Sequence, residues 1–243
     1  MVKPLKTLEP QQARSRESLR KLTRAAAEVL GQHGLEGTTI PRIAQHAGLT
    51  PGAIYRRFRD KEALLETVAL GILERQDIRL REGLTPEMAS AIPLPVLAAQ
   101  VINGMVVGYR AQAGLLRALR QFAQGRKNTP FWKKASKLEV RTIEYLADTM
   151  AANRSEIRHP DPRNAIALGL MMVGSTLVEL ILNCPDDRIW KGLMPKDDQA
   201  LKRELLRSFL SYVGVERKDA LPEASLTVAV RASTTGGRRM PRV

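Results

Sequence analysis

The chain has 243 residues, with 39 lysine and arginine residues against 25 aspartate and glutamate residues, a formal net charge of +14 at pH 7. This excess favours a polyanionic partner, most commonly nucleic acid, and the length suits a small domain joined to a larger one. The single cysteine, Cys184, excludes an internal disulfide framework and a thiolate metal cluster. Because residues 1–20 also lack the apolar core of a signal peptide, we expect a cytoplasmic protein.

The first predicted helix follows a basic N-terminal segment. Its apolar face and the glycines that close it are Leu22, Ala25, Ala26, Val29, Leu30, Gly34 and Gly37. We interpret residues 1–14 as a flexible basic arm, which either lies along phosphates and the minor groove or remains a solvated tail. The opposite end, residues 216–243, has no helical period and is predicted to be a disordered tail.

A second helix and a tight turn come next. Thr39 is positioned to cap this helix. Its apolar residues have the spacing of one buried face: Ile40, Ile43, Ala44 and Ala47. Gly48 supplies the positive φ that ends the helix, and Thr50 caps a further helix with Pro51 at its first position. Residues 39–58 are therefore predicted to form a helix, a turn and a helix.

The helix after the turn has a buried face and an open face. Ile54 and Phe58, four residues apart, point to the core. The residues left outside are small at first and then aromatic or basic: Thr50, Gly52, Ala53, Tyr55, Arg56 and Arg57. Small residues let a helix approach a groove floor, a tyrosine hydroxyl can bind a phosphate, and an arginine can reach a guanine edge. A glycine inside a helix costs roughly 0.5–1 kcal/mol relative to alanine. Either Gly52 is present because it allows such a close approach, or its place in the first turn makes the cost smaller.

A third helix is predicted to begin after the capping residue Asp60. Its apolar face contains Leu64, Leu65, Val68 and Ile72. Lys61, at its first position, opposes the helix dipole unless an anion binds there. A DNA phosphate would resolve this conflict, and an ion pair of Lys61 with Glu62 or Glu66 is the alternative.

The remainder is predicted to be helical without strands, because no segment alternates with period two. The expected helices continue to about residue 81 and then span about 94–113, 115–124, 130–152, 162–182 and 196–213. The segment 165–182 is apolar almost all round and approaches the length of a membrane span. Glu179 would be costly in lipid, so we expect a core and dimer helix and no membrane contact.

The run from Thr39 to Leu64 resembles the DNA-binding domain of the TetR (tetracycline-repressor-like) family of transcriptional regulators. The matching positions read Thr39-x-x-x-Ile43-Ala44-x-x-Ala47-Gly48-Leu49-Thr50-x-Gly52-x-x-Tyr55-x-x-Phe58-x-x-Lys61-Glu62-x-Leu64. The helix before this run fits the same pattern. The resemblance covers roughly residues 15–75, about a quarter of the chain.

The resemblance implies an all-α protein with an N-terminal three-helix helix-turn-helix domain, residues 15–75, followed by a helical ligand-binding and dimerisation domain, residues 76–215. It also implies a homodimer, joined through helices at about 162–183 and 196–213, that reads a palindromic operator in double-stranded DNA. We call the helix after the turn the reading helix. Together with the open face of this helix, the resemblance predicts these DNA contacts: Thr39, Thr50, Pro51, Gly52, Ala53, Tyr55, Arg56, Arg57 and Lys61. We therefore predict a transcriptional repressor released by a small-molecule effector, the alternative being an activator or a ligand-independent DNA-binding protein of the same fold.

An effector pocket among helices should combine flexible and aromatic side chains with a few polar groups. The candidates are Met105, Tyr109, Arg117, Phe122, Trp132, Tyr145, Met171 and Met172. Residues of these types at helical spacing belong to a core more often than to a pocket. The chemical identity of the effector is left open by the sequence.

Catalytic chemistry is not indicated by any pattern in the chain. The three histidines, His33, His46 and His159, have no partner at metal-ligand spacing, and there is no glycine-rich phosphate loop. We therefore predict that the protein is not an enzyme and has no catalytic residues, metal or cofactor.

Overall fold

The computed structural model describes residues 8–183 and 194–215 together with Gly192. The helices in this part of the chain are α1 Leu8–Gly37, α2 Ile40–Ala47, α3 Pro51–Tyr55, α4 Lys61–Gly83, α5 Pro86–Ser90, α6 Leu94–Ala111, α7 Ala113–Gln124, α8 Pro130–Met150, α9 Pro162–Leu177 and α10 Asp198–Val213. A 3-10 turn, Ala151–Glu156, follows α8, and a π-helical turn, Val178–Asn183, prolongs α9. No strand occurs among the described residues, and the predicted all-α class is confirmed.

An N-terminal head is formed by α1, α2, α3 and the first half of α4. Its core contains residues on the predicted faces of these helices: Leu22, Ala26, Val29, Ile40, Ile43, Ala44, Ile54, Leu64, Val68 and Ile72. Burial of these side chains packs the short helices α2 and α3 together with the long helices α1 and α4. The open face of α3 is thereby directed away from the core.

A larger helical body follows, with a separate core. Four helices, α6, α8, α9 and α10, supply most of its buried side chains, among them Leu97, Ile102, Met150, Ile166, Leu170 and Phe209. Gly169 of α9 allows a close contact there, because a Cβ at this position would lie 2.8 Å from the Phe209 ring. The C-terminal half of α4 runs along α8 and so connects the head to the body.

A third cluster joins the head and the body between α1, α4, α7 and α8. It includes Leu30 and Leu65 on the head side and Ala118, Phe122 and Phe131 on the body side. The Phe122 and Phe131 rings meet edge to face, with centroids 5.6 Å apart. Phe122 is therefore a residue of this joint.

Several element bounds differ from the sequence prediction. Helix α1 begins at Leu8, so half of the predicted flexible arm 1–14 is helical; residues 1–7 lie outside the described part. Gly34 kinks this helix, with φ 66° and ψ −176°, and a last turn continues to Gly37. The short α5, capped by Thr85, was not predicted because five residues carry too little periodicity. The predicted tail 216–243 and Cys184 also lie outside the described residues.

The apolar segment from α9 through the π-helical turn, Pro162–Asn183, is long and apolar enough to span a membrane by length and composition alone, with a mean hydropathy of 2.1. In this fold it packs against both α8 and α10. The buried side of α9 includes Ile166, Leu170 and Val173. These contacts are those of a core helix.

Candidate nucleic-acid interface and effector cavity

Local hydrogen bonds set the starts of the three head helices. The Thr39 hydroxyl accepts from the Arg42 amide at 3.4 Å, and the Thr50 hydroxyl accepts from the Ala53 amide at 3.3 Å. The Asp60 carboxylate accepts from the amide of the residue three positions later at 2.7 Å, and this bond is the main reason that the pKa of Asp60 lies below its ordinary value. The predicted caps therefore hold the helices in place, with both threonines on the surface.

Helix α3 presents an open surface. Tyr55 is 55% exposed, and Pro51, Gly52 and Arg56 are exposed as well. A Cβ built at Gly52 would meet no heavy atom within 4 Å, so no internal contact requires glycine there. Gly48 ends α2 with φ 65°, as predicted, and brings α3 to its position. This arrangement leaves α3 free to enter a groove.

Lys61 occupies the first position of α4, where the unpaired backbone N–H groups of the first turn create a positive electrostatic potential. No salt bridge to Lys61 occurs among the described residues. Glu66, one of the two alternative partners, instead pairs with Arg126 at 3.5 Å. The charge of Lys61 at this helix end therefore has no salt-bridge partner in the described part of the head.

Arg57 has a different position from the other predicted contacts. Its guanidinium donates to the Ser15 carbonyl oxygen at 3.0 Å and to the Ser15 hydroxyl at 3.4 Å. The side chain thus joins the end of α3 to α1. The sequence does not reveal this bond because the two residues are 42 positions apart.

A second bond of this kind joins α1 to α2. The Glu28 carboxylate lies 2.8 Å from the His46 ring nitrogen and 2.9 Å from the Arg24 guanidinium. Hydrogen bonds from Arg24 and His46 lower the pKa of Glu28. The histidine is therefore engaged within the head.

The body contains a cavity of about 950 Å³ between α4, α6, α7, α8 and α9. Its wall is mostly apolar and includes Leu73, Leu80, Leu97, Val101, Gly104, Met105, Gly108, Tyr109, Leu116, Ile143, Leu146, Leu170, Met171 and Val178. Three of the predicted pocket residues, Met105, Tyr109 and Met171, line this cavity. Its volume lies near the upper end of the range of about 300–1,000 Å³ that small-molecule sites occupy.

The other five predicted pocket residues do not line it. Arg117 donates to the Leu182 carbonyl oxygen at 2.8 Å, and the Tyr145 hydroxyl donates to the Leu84 carbonyl oxygen at 2.6 Å. Phe122 belongs to the head–body joint, Trp132 is half-buried in the first turn of α8, and Met172 is 42% exposed. Residue type alone cannot separate these positions, because helix rotation and packing decide which side chains reach a cavity.

The cavity also contains ionisable groups, of which Glu139 and Arg120 were not singled out by the sequence. Glu139 faces it together with Arg120, and burial raises the pKa of Glu139. Burial and the nearby Glu139 charge raise the pKa of Tyr109. Glu179, in the π-helical turn, also lines the cavity and accepts a hydrogen bond from the side-chain amide of Asn183 at 2.8 Å. The mostly apolar wall thus includes two carboxyl groups and the Arg120 guanidinium.

Helix α4 is tied to α8 by a buried carboxylate. Asp77 is 2% exposed and accepts hydrogen bonds from Arg141 at 2.8 Å, from Arg81 at 3.1 Å and from Thr142 at 3.3 Å. These bonds lower the pKa of Asp77, and that from Arg81 has the largest effect. The side of α4 beside the cavity is therefore held firmly to the body.

A helix-turn-helix head with an open reading helix, joined to a helical body with a cavity, defines a DNA-binding transcriptional regulator. Residues 22–68 match the sequence model of the tetR family of bacterial regulatory proteins. The HTH-type transcriptional repressor Rv1474c of Mycobacterium tuberculosis is 32% identical over 186 residues, which cover 76% of this chain and 92% of that relative. The HTH-type transcriptional regulator UidR of Escherichia coli is 25% identical over 159 residues, 63% of this chain and 74% of that relative.

The fold is also shared with solved structures. One is described as a TetR-family regulator from Mesorhizobium loti, with a TM-score of 0.65 and 20% identity over 82% of this chain and 96% of the other. Another is the regulator FadR from Bacillus subtilis in complex with stearoyl-CoA, with a TM-score of 0.59 and 19% identity over 80% and 98% of the two chains.

This chain belongs to the tetR family of bacterial regulatory proteins. Its relatives are transcriptional regulators and not enzymes, in agreement with the sequence prediction.

Proposed function

We propose that this regulator is a homodimeric repressor that binds a palindromic operator and leaves it when a small molecule occupies the body cavity. The observation that carries this proposal is the course of α4. Its first residue, Lys61, lies beside the reading helix, and its C-terminal half, including Leu73 and Leu80, lines the cavity. A ligand that displaces one end of a rigid helix displaces the other, so the cavity and the DNA-binding surface are coupled.

The proposed DNA contacts follow from the exposed head surface. Tyr55 and Lys61 bind phosphates, and Arg56 reaches a base edge or the phosphate beside it. Gly52 and Ala53 bring the start of α3 close to the groove floor. Thr39, Thr50 and Pro51 position the helix starts against the backbone, while Arg57 braces α3 against α1 through Ser15.

The proposed dimer uses the outer side of α9 together with α10. Leu168 and Met172 lie one turn apart on α9 and are 46% and 42% exposed. Large apolar residues that share an exposed face commonly mark an interface. A two-fold dimer would place the two reading helices in successive major grooves, about 34–36 Å apart, and so would require a palindrome.

The mycobacterial relative is named as a transcriptional repressor, which supports repression by this protein. A regulator that acts on operators in bacterial DNA works in the cytoplasm, which is the location that we propose for this protein.

Selection of bound fragments from a random DNA library tests the proposal. We expect a recovered palindrome, and we expect mobility shifts on that sequence to disappear in the presence of some metabolite fraction. A non-palindromic consensus would overturn the two-fold dimer. Affinity that no fraction changes would favour the ligand-independent alternative, and a reporter whose expression rises with the protein would favour an activator.

A further inference from the structure

A second hollow, of about 940 Å³, lies between α1, α4 and the link from α6 to α7. Gln76, Arg79 and Gln112 line both this hollow and the body cavity. The two spaces therefore adjoin each other, with these three side chains between them at the C-terminal half of α4 and at Gln112. We refer to the second hollow as the basic groove.

Three arginines in the basic groove lack a counterion. Arg20 of α1 and Arg75 and Arg79 of α4 line it, and none of them forms a salt bridge with a described residue. The other basic residues that line it are neutralised: Lys21 pairs with Glu17 at 3.3 Å, and Arg24 pairs with Glu28 at 2.9 Å.

The Arg75 guanidinium lies close enough to Arg79 and Arg20 to be affected by their charges. Burial, followed by the charges of Arg79 and Arg20, lowers the pKa of Arg75. Like charges gathered in this way repel each other, and a bound anion removes the repulsion while accepting charge-assisted hydrogen bonds.

The body cavity has a different character. Its wall is mostly apolar, with the carboxyl groups of Glu139 and Glu179 and the guanidinium of Arg120 among its lining residues. Apolar surface favours the apolar end of an elongated ligand, and the arginines of the basic groove favour its anionic end.

Operator DNA is too distant to be the anion. Arg75 follows Lys61 by about four turns of α4, which is roughly 20 Å at 1.5 Å per residue. The groove also contacts the head–body joint, since Gly31 of α1 and Gly114 of α7 line it. A bound head group would thus lie between the two parts whose relative position sets operator affinity.

We propose that Arg20, Arg75 and Arg79 bind the phosphate-bearing head of an amphiphilic effector whose apolar tail fills the body cavity. This inference rests on the proposed function, in which the cavity binds the effector, and adds the chemical class of that effector. Charge-assisted hydrogen bonds from these guanidinium groups would stabilise the bound head.

Binding of four probes below their micellar concentrations tests the inference: geranylgeranyl diphosphate, palmitoyl-coenzyme A, uncharged geranylgeraniol and coenzyme A alone. We expect the phosphate-bearing amphiphiles to bind at least about tenfold more tightly than geranylgeraniol, with a salt-dependent affinity, and coenzyme A to bind weakly. The first two probes distinguish a diphosphate head from a nucleotide thioester head.

Arg75→Gln and Arg79→Gln should each weaken binding of the preferred amphiphile about tenfold or more and leave geranylgeraniol binding unchanged. Lys21→Gln is the matched control, because it removes the same charge from the same groove but from a residue already paired with Glu17. Thermal melts without ligand confirm that the variants fold.

Equal affinity for geranylgeraniol and the diphosphate, or equal effects of the arginine and Lys21 variants, would overturn the phosphate site and leave the proposed function intact. Failure of every probe to bind would likewise overturn the phosphate site. The proposed function has its own tests, which are the recovered palindrome, the loss of operator binding with a metabolite fraction and the direction of the reporter response.

Discussion

Gly114, at the start of α7, packs directly on the backbone of Gly31 in α1. A Cβ at position 114 would overlap the Gly31 carbonyl oxygen, whereas a Cβ at position 31 would lie 3.5 Å from the Leu115 Cβ, an ordinary contact. The head therefore touches the body here through main-chain atoms. Such a contact has no flexible side chain that could absorb a displacement.

Gly114→Ala should force α1 and α7 apart. We expect a loss of about 1–3 kcal/mol in the free energy of unfolding, the usual cost of overpacking, and a changed operator affinity. Gly31→Ala is the control, since alanine fits at that position and favours the helix. Denaturant unfolding measures both, and equal stabilities of the two variants would contradict the close contact.

Asp77→Asn should destabilise the link between α4 and α8 at neutral pH by about 1–3 kcal/mol, because the buried side chain loses its charge-assisted bonds. Arg81 and Arg141 reach solvent, which keeps the loss below that of a fully buried pair. Asp148→Asn should cost at most about 1 kcal/mol, since the Asp148–Arg163 pair at 2.5 Å is on the surface.

The effect of Asp77→Asn should depend on pH. The bonds lower the pKa of Asp77 below its ordinary value of 3.8, so their stabilisation is complete above that pH and is lost as the pH falls through the lowered pKa. The difference in unfolding free energy between the two proteins should therefore shrink as the pH falls below 3.8 toward the lowered pKa. A constant difference would show that Asp77 does not titrate with folding.

Tyr55→Phe and Lys61→Ala should weaken operator binding without changing the thermal melt, because both side chains contribute to the surface and not to the head core. Loss of Lys61 should also reduce the slope of log affinity against log salt by about 1. Fluorescence anisotropy across a salt series measures both effects. Unchanged affinity of either variant would remove that residue from the DNA interface.

Arg56→Ala should alter the preferred sequence by about 1–3 kcal/mol at one base pair of each half-site. Arg57→Ala, next to it, should leave the preference unchanged, because the Arg57 guanidinium is bound to Ser15. Repeating the DNA selection with both variants separates the roles. A uniform loss of affinity for Arg56→Ala would make it a phosphate contact.

Leu168→Glu should convert the dimer to monomers, since a charge would be buried in the proposed interface. Met88→Glu is the control, because Met88 is 49% exposed on α5, outside the proposed interface. Sedimentation measures the state of both variants, and a Leu168→Glu protein that stays dimeric would locate the interface elsewhere.

The head could be predicted from the sequence because its determinants are local. Thr39, Thr50 and Asp60 each cap a helix through an amide three positions away, and Gly48 needs no distant partner to adopt a positive φ. Such signals can be read from consecutive residues. The same locality explains why the sequence predicts helix α3 and its exposed face.

The cavity could be predicted only in part. Met105, Tyr109 and Met171 line it. Tyr145 instead donates a hydrogen bond to the carbonyl oxygen of Leu84, and Arg117 donates to that of Leu182; the two pairs are separated by 61 and 65 positions in the chain. Contacts over such separations depend on the rotation of each helix about its axis and on the angles at which helices cross. The type of a single residue does not determine this rotation or these angles.

The amino-acid order alone determined the all-α class, the helix starts of the head and the exposed face of α3 that we propose to contact DNA, because caps, turns and helical periodicity act within a few residues. Tertiary packing alone decided that Arg57 braces α1 and that Glu139 faces the cavity. It also decided that Arg20, Arg75 and Arg79, which form no salt bridge with a described residue, line one groove beside the cavity. The reason is physical: these arrangements join helices that are distant in the chain, and the burial of several cores together sets their relative positions.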